Sequence, residues 1–150
     1  MTNATLKQVH PDVSLSETLK TMRILENLTY QNQGFIDWVL KTFKNDCVDC
    51  IPFKVWKYMQ NNFRYVDDSF DEVIRAPYIL LREKIGDCDD FALFSKCVLK
   101  IIGFKPVYII FGEYRNRFTH IAVYCDNKLV DGVNNNFNLI PPRYKFYKFV

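Results

Sequence analysis

Cys88 stands in Gly86-Asp87-Cys88-Asp89-Asp90, directly ahead of the periodic apolar run Phe91 to Ile102, and His120 and Asp131 follow it in the chain. A thiol, an imidazole and a carboxylate together can carry out nucleophilic acyl transfer. The sulfur attacks a carbonyl carbon, the imidazole takes and returns its proton, and the acid fixes the imidazole's tautomer and orientation. A helix beginning at Cys88 would place unpaired backbone N–H groups and a partial positive charge beside the sulfur. That placement is expected to lower the thiol's pKa and enlarge its thiolate fraction. The same N–H groups are expected to help hold an oxyanion during attack on an amide. Asp87, Asp89 and Asp90 oppose thiolate formation unless they turn away or are paired. His10, the only other histidine, lies in a polar N-terminal arm, so His120 has few competitors.

Stepping outward, the acids need a hairpin to bring them to the imidazole. Asp126-Asn127 is a good two-residue turn signal, and a hairpin centred there sets residue 120 roughly opposite residue 133, with 131 diagonal to 122. His120 and Asp131 are then diagonal neighbours, and direct contact is expected to need a bulge or an offset register. The strands read as Val107 to Phe111, Phe118 to Tyr124, Lys128 to Val133 and Tyr144 to Phe149. Asn134-Asn135-Asn136, a polar turn beside the acid, is expected to line a cleft.

Helices occupy the earlier part. Ser14-Leu15-Ser16-Glu17 reads as a capping box with Ser14 as N-cap. Leu15, Leu19, Met22, Ile24, Leu25 and Leu28 then describe a helix ending before Gln31, and a second covers Phe35 to Phe43. Pro52 suits the first turn of a third helix, with Phe53, Trp56, Met59 and Phe63 at helical spacing. Arg64-Tyr65-Val66 is an extended exit. Pro77 restarts a short helix to about Glu83, which Gly86 stops, and the helix from Cys88 ends at Gly103. Apolar residues surround the Cys88 helix, which places it at the centre of the domain. Helices first and strands afterwards give an α+β class with an antiparallel sheet.

The 150 residues fit one domain, 1–150, with 1–13 as an N-terminal arm. Hydrophobic residues at 49% support a substantial core, and a net charge of +3 is too small to imply nucleic acid. No stretch has the length of a membrane span, and no signal peptide is indicated at Met1 to Pro11. An odd count of five cysteines without such a signal points to free thiols and a cytoplasmic location.

Cys47-x-x-Cys50 can be a redox pair or half a zinc site, but two ordinary thiols account for it more simply. Cys97 reads as core and Cys125 as a structural thiol beside the turn. Asp67, Asp68, Asp71 and Glu72 lack the ligand alternation of a calcium loop and read as solvated. Arg143 to Phe149 alternates bases and aromatics. An edge strand whose lysines discourage pairing and whose aromatics pack inward explains it better than a single-stranded nucleic acid platform.

Residues Asn62 to Val133 resemble the transglutaminase-like superfamily, which includes papain-like cysteine peptidases and peptide N-glycanases. The resemblance rests on Arg64-Tyr65-Val66-Asp67, Pro77-Tyr78-Ile79-Leu80, Gly86-Asp87-Cys88-Asp89-Asp90, Phe91-Ala92 and Gly103-Phe104. Behind them come Val107 to Phe111, Thr119-His120-Ile121-Ala122-Val123 and Leu129-Val130-Asp131. It implies a papain-like core, N-terminal helices with a central Cys-bearing helix packed on a C-terminal antiparallel sheet. It also implies Cys88 as nucleophile, His120 as base, Asp131 as orienting acid, and no cofactor or metal. Asp90 matches a recurrent family acid that caps or clamps the preceding loop. Gly132 stands where members often carry proline.

The implied activity is a thiol-dependent amide hydrolase or acyl-transferase with a peptide or protein substrate, hydrolysis being slightly favoured. Peptide N-glycanase activity fits less well, since no glycan-binding region or paired Cys-x-x-Cys zinc motifs accompany the core. The competing reading is a non-catalytic structural or interaction module with a protein assembly partner. Small stand-alone domains of this type also look like bacteriophage-encoded ones, which implies a virion-associated role as an alternative.

Overall fold

The first helix, α1, spans Pro11–Thr29. The computed structural model describes residues 11–43, 47–67, 73–115 and 117–150, without the side chains of 11–14. The helix thus starts before Ser14, and the expected cap side chain lies outside the described residues. So do most of the expected arm, His10, Asp68, Asp71 and Glu72.

α2 (Gln33–Phe43) and α3 (Ile51–Asn62) follow, the latter entered through a 3-10 turn at Val48–Cys50. β1 (Arg64–Tyr65) pairs in parallel with β2 (Ile85–Gly86), which lies between α4 (Pro77–Glu83) and α5 (Cys88–Ile102). This short pairing was not anticipated. α4 is ended by Lys84 in the left-handed region, φ 64°, rather than by Gly86. Gly86 has a different duty: a Cβ there would stand 2.7 Å from Asp90 Oδ2 and 3.1 Å from Leu80 Cδ1. Only hydrogen lets α5 start this close to β2.

β3 (Val107–Gly112), β4 (His120–Cys125), β5 (Lys128–Val130) and β6 (Phe146–Phe149) form an antiparallel sheet in the order β5-β4-β3-β6. The class is therefore α+β, with N-terminal helices and a central Cys-bearing helix against a C-terminal sheet. α5 is buried around most of its circumference, with Leu93, Phe94, Cys97, Val98 and Leu99 at 0% exposure. Each such Leu, Val or Phe contributes about 1.5–3 kcal/mol of transfer free energy. They meet one face of the sheet, Tyr108, Ile110, Ile121, Val123 and Val130. Ile109, Phe111, Ala122 and Leu129 form a second, smaller cluster with Tyr124 and Tyr144 on the other face.

β6 is an edge strand, as its composition suggests, but its aromatics do not all pack inward. Tyr147 and Phe149 pair with Phe111 and Ile109 and remain 60% and 49% exposed. Their register puts them on the sheet face away from α5, which is only partly covered. α1 docks through the buried Glu26, which accepts hydrogen bonds from Tyr108 at 2.6 Å, Tyr30 at 3.2 Å and Lys96 at 3.3 Å.

Candidate active site

Asp126 and Asn127, at φ 54° and 61°, make the two-residue turn that joins β4 to β5. Their left-handed backbones match the type that follows the sheet's own twist. The ladder pairs Val123 with Val130, Tyr124 with Leu129 and Cys125 with Lys128, the register expected from the sequence. Continued, it would set Asp131 opposite Ala122. The ladder instead stops at Val130, and the chain turns, with Asn134 N donating to Asp131 O at 3.2 Å. Released from the strand, Asp131 Oδ2 reaches His120 Nε2 at 2.6 Å. Strand termination supplies the contact, so neither bulge nor register offset is needed.

Asp131 Oδ1 accepts from Val133 N at 3.1 Å, which fixes the carboxylate's second oxygen. α3 holds the turn: Gln60 Nε2 donates to Gly132 O at 2.6 Å and Trp56 Nε1 to Asn134 O at 3.0 Å. Gly132 is closely packed: a Cβ would stand 2.8 Å from Met59 Sδ and 3.1 Å from Phe91 Cβ, so a side chain there requires Met59 to shift.

Cys88 is the first residue of α5, as the sequence implies. Asp87 is the N-cap and forms a capping box with Asp90: its side chain takes the N–H groups of Asp89 and Asp90, while Asp90 takes that of Asp87. The cap thus uses two first-turn donors and leaves the Cys88 N–H out. Asp90 also accepts from Arg75, through its backbone N at 2.6 Å and Nη1 at 2.9 Å. It clamps the segment ahead of α4, the duty expected of it. Burial nevertheless pushes Asp90 up to about 6 against the pull of those donors.

The expected lowering of the Cys88 pKa is not found. Burial raises the thiol well above its ordinary value, and the charges of Asp89 and Asp87 add to the rise. The Ile121 backbone opposes them, and Asp131 adds a smaller upward push. At 2% exposure, desolvation of the sulfur outweighs the helix's partial charge. The thiol donates to Asp89 Oδ1 at 3.9 Å, and among the described residues no hydrogen bond joins it to His120. The structure therefore brings His120 and Asp131 together and places Cys88 beside the backbone of the residue after His120.

Tyr144 is the neighbour that sequence reasoning missed. Its ring lies parallel to that of His120, with centroids 5.5 Å apart and planes 4° apart, and Phe111 stacks on both. The turn Pro141 to Tyr144 holds it, with Tyr144 N donating to Pro141 O at 3.1 Å. A Pro-Pro-Arg-Tyr turn before an edge strand was the available signal. A cleft of about 360 Å³ opens onto His120, Asp131 and Tyr144, with Asn134, Asn135 and Asn136 along one wall as expected. Cys88 is not part of its lining.

Elsewhere, Cys47 is exposed and Cys50 caps α3 without a side-chain bond to the helix, its pKa raised chiefly by a hydrogen bond with Cys47. Among the described residues no group of three or more His, Cys, Asp or Glu converges as a metal site, and no helix is long and apolar enough to cross a membrane.

Calcium-bound LapG of Legionella pneumophila shares this fold, with a TM-score of 0.57 and 18% identity over 83% of this chain and 80% of that one. A candidate cysteine protease from Cytophaga hutchinsonii gives a TM-score of 0.55 and 16% identity over 79% of this chain. A candidate protease from Parabacteroides distasonis gives 0.55 and 14% over 83%. The chain spans only 46% and 26% of those last two proteins. No curated protein sequence matches it. The cytoplasmic location expected from the cysteines is not upheld, since LapG is a periplasmic protein and conflicts with it. Cys97 is buried and free, and a buried free thiol marks no compartment. A transglutaminase-like domain model matches residues 36–130, which include both Cys88 and His120, and the chain belongs to that family.

Proposed function

We propose that this domain cleaves or exchanges amide bonds of a peptide or protein through an acyl-enzyme on Cys88, with His120 as base and Asp131 as orienting acid. The observation that carries the reading is the buried 2.6 Å bond between His120 Nε2 and Asp131 Oδ2, set beside a cysteine at a helix start. With Nε2 engaged, Nδ1 is the ring nitrogen available to the thiol. In the reaction the thiol proton passes to His120 as sulfur bonds to the carbonyl carbon. The oxyanion is held by the Cys88 N–H, which the helix cap does not use. Collapse breaks the C–N bond, and the amine leaves with the proton from His120. Water, or an amine, then attacks the thioester with His120 again taking a proton, which releases the acid or new amide and restores the thiol.

Hydrolysis is the favoured second half. Burial holds the Cys88 pKa up, which favours proton transfer to His120 in step with substrate entry. The competing reading, a non-catalytic interaction module, draws on that same covering, with Cys88 2% exposed and outside the cleft. The comparisons lend a virion role no support. Incubating the protein with a mixed peptide library, with and without a primary amine, separates these readings. New carboxyl termini indicate hydrolysis and amine adducts indicate transfer. The absence of both, in Cys88-dependent form, would favour the module.

A further inference from the structure

We infer that Arg143 anchors a carboxylate on the acyl donor, so that the cleft selects substrates with an acidic residue near the scissile amide; this rests on the thiol chemistry proposed above. Besides His120, the charged side chains lining the cleft are Asp131 and Arg143. Asp131 is committed to His120 and to Val133 N. Arg143 is supported from behind. Its Nη2 donates to Tyr144 Oη at 2.8 Å, its guanidinium lies 4.8 Å from the centre of the Tyr144 ring, and that ring stacks on His120. The side chain is thereby linked to the proposed base through one intervening ring.

Among the described residues no carboxylate pairs with Arg143, which leaves guanidinium donors for a bidentate bond to an incoming one. The Pro141 to Tyr144 turn limits the entropy lost when such a bond forms. Among the described residues the same end of the sheet carries exposed Arg115, Arg117 and Lys145 against one exposed acid, Glu113. Their summed field favours an anionic substrate. The acids around the thiol are buried at the start of α5: Asp87 and Asp90 form its cap and clamp, and Asp89 Oδ1 accepts from the Cys88 thiol. Negative charge is thus kept on the helix side and positive charge on the cleft side.

The test alkylates Cys88 of the full chain with iodoacetate and with iodoacetamide, reagents of similar size that differ in a carboxylate, and maps the site by mass spectrometry. The ratio of the two rates cancels the ionisation and covering of the thiol and reports the field met by an incoming anion. Arg143→Gln is expected to lower the iodoacetate-to-iodoacetamide ratio about three- to tenfold at low ionic strength. Arg143→Lys should retain most of the ratio. An unchanged ratio in folded Arg143→Gln overturns the inference. A lowered ratio with labelling indifferent to His120→Ala would uphold the anion anchor and overturn the thiol mechanism, so the two failures are distinct.

Discussion

His120 and Asp131 meet because β5 ends one residue before the acid. An ordinary continuation of the hairpin would point Asp131 at Ala122, and the turn through Gly132 to Asn134 redirects it. Asp131→Ala should therefore leave the fold intact but lower turnover about 10²–10⁴-fold, since the imidazole loses its orientation. Steady-state rates beside a near-native circular dichroism spectrum check this.

Gly132→Ala tests the packing that permits the turn. The new methyl meets Met59 Sδ and Phe91 Cβ, and overpacking of this kind costs about 1–3 kcal/mol. Met59 can shift, so the low end is expected. A double-mutant cycle with Met59→Ala should show that shortening residue 59 relieves part of the cost.

Tyr144→Leu removes the ring that stacks on His120, while Tyr144→Phe retains it. Turnover should fall about tenfold in the first and stay near the parent value in the second. A loss shared equally by both variants would assign the effect to the hydroxyl instead.

Arg75→Met leaves Asp90 fully buried without its cation. Breaking such a pair costs about 3–5 kcal/mol when the acid is ionised. Burial raises Asp90 from 3.8 to about 6 in the folded protein, so the folded state holds this proton more firmly than the unfolded chain. Stability from the group is therefore present in acid and is lost as pH rises through that window. The loss in Arg75→Met should be larger at pH 8 than at pH 5. Urea melts at the two pH values measure it.

Much of this arrangement is legible in the residues. Asp126-Asn127 announces a left-handed turn, and the run after Cys88 announces a buried helix, because both signals are local. Asp90 as a clamp follows from the family motif. The parallel pairing of Tyr65 with Gly86 is two residues long and carries no periodicity of its own. Glu26 reads as a surface acid in a helix, and only the meeting with Tyr108 and Lys96 explains its burial. The raised Cys88 pKa could not be read from position alone. A helix start favours the thiolate, whereas burial depends on how β4 and α5 meet, and burial wins.

The central claim is that Cys88 accepts an acyl group with help from His120. The most direct measurement is the intact mass of the protein after exposure to p-nitrophenyl acetate, with the adduct mapped, for the parent, Cys88→Ala and His120→Ala. The account predicts one acetyl group on Cys88, absent from Cys88→Ala and formed at least about tenfold more slowly in His120→Ala. Acetylation confined to exposed Cys47 or lysines, or a Cys88 rate unchanged in folded His120→Ala, would contradict it.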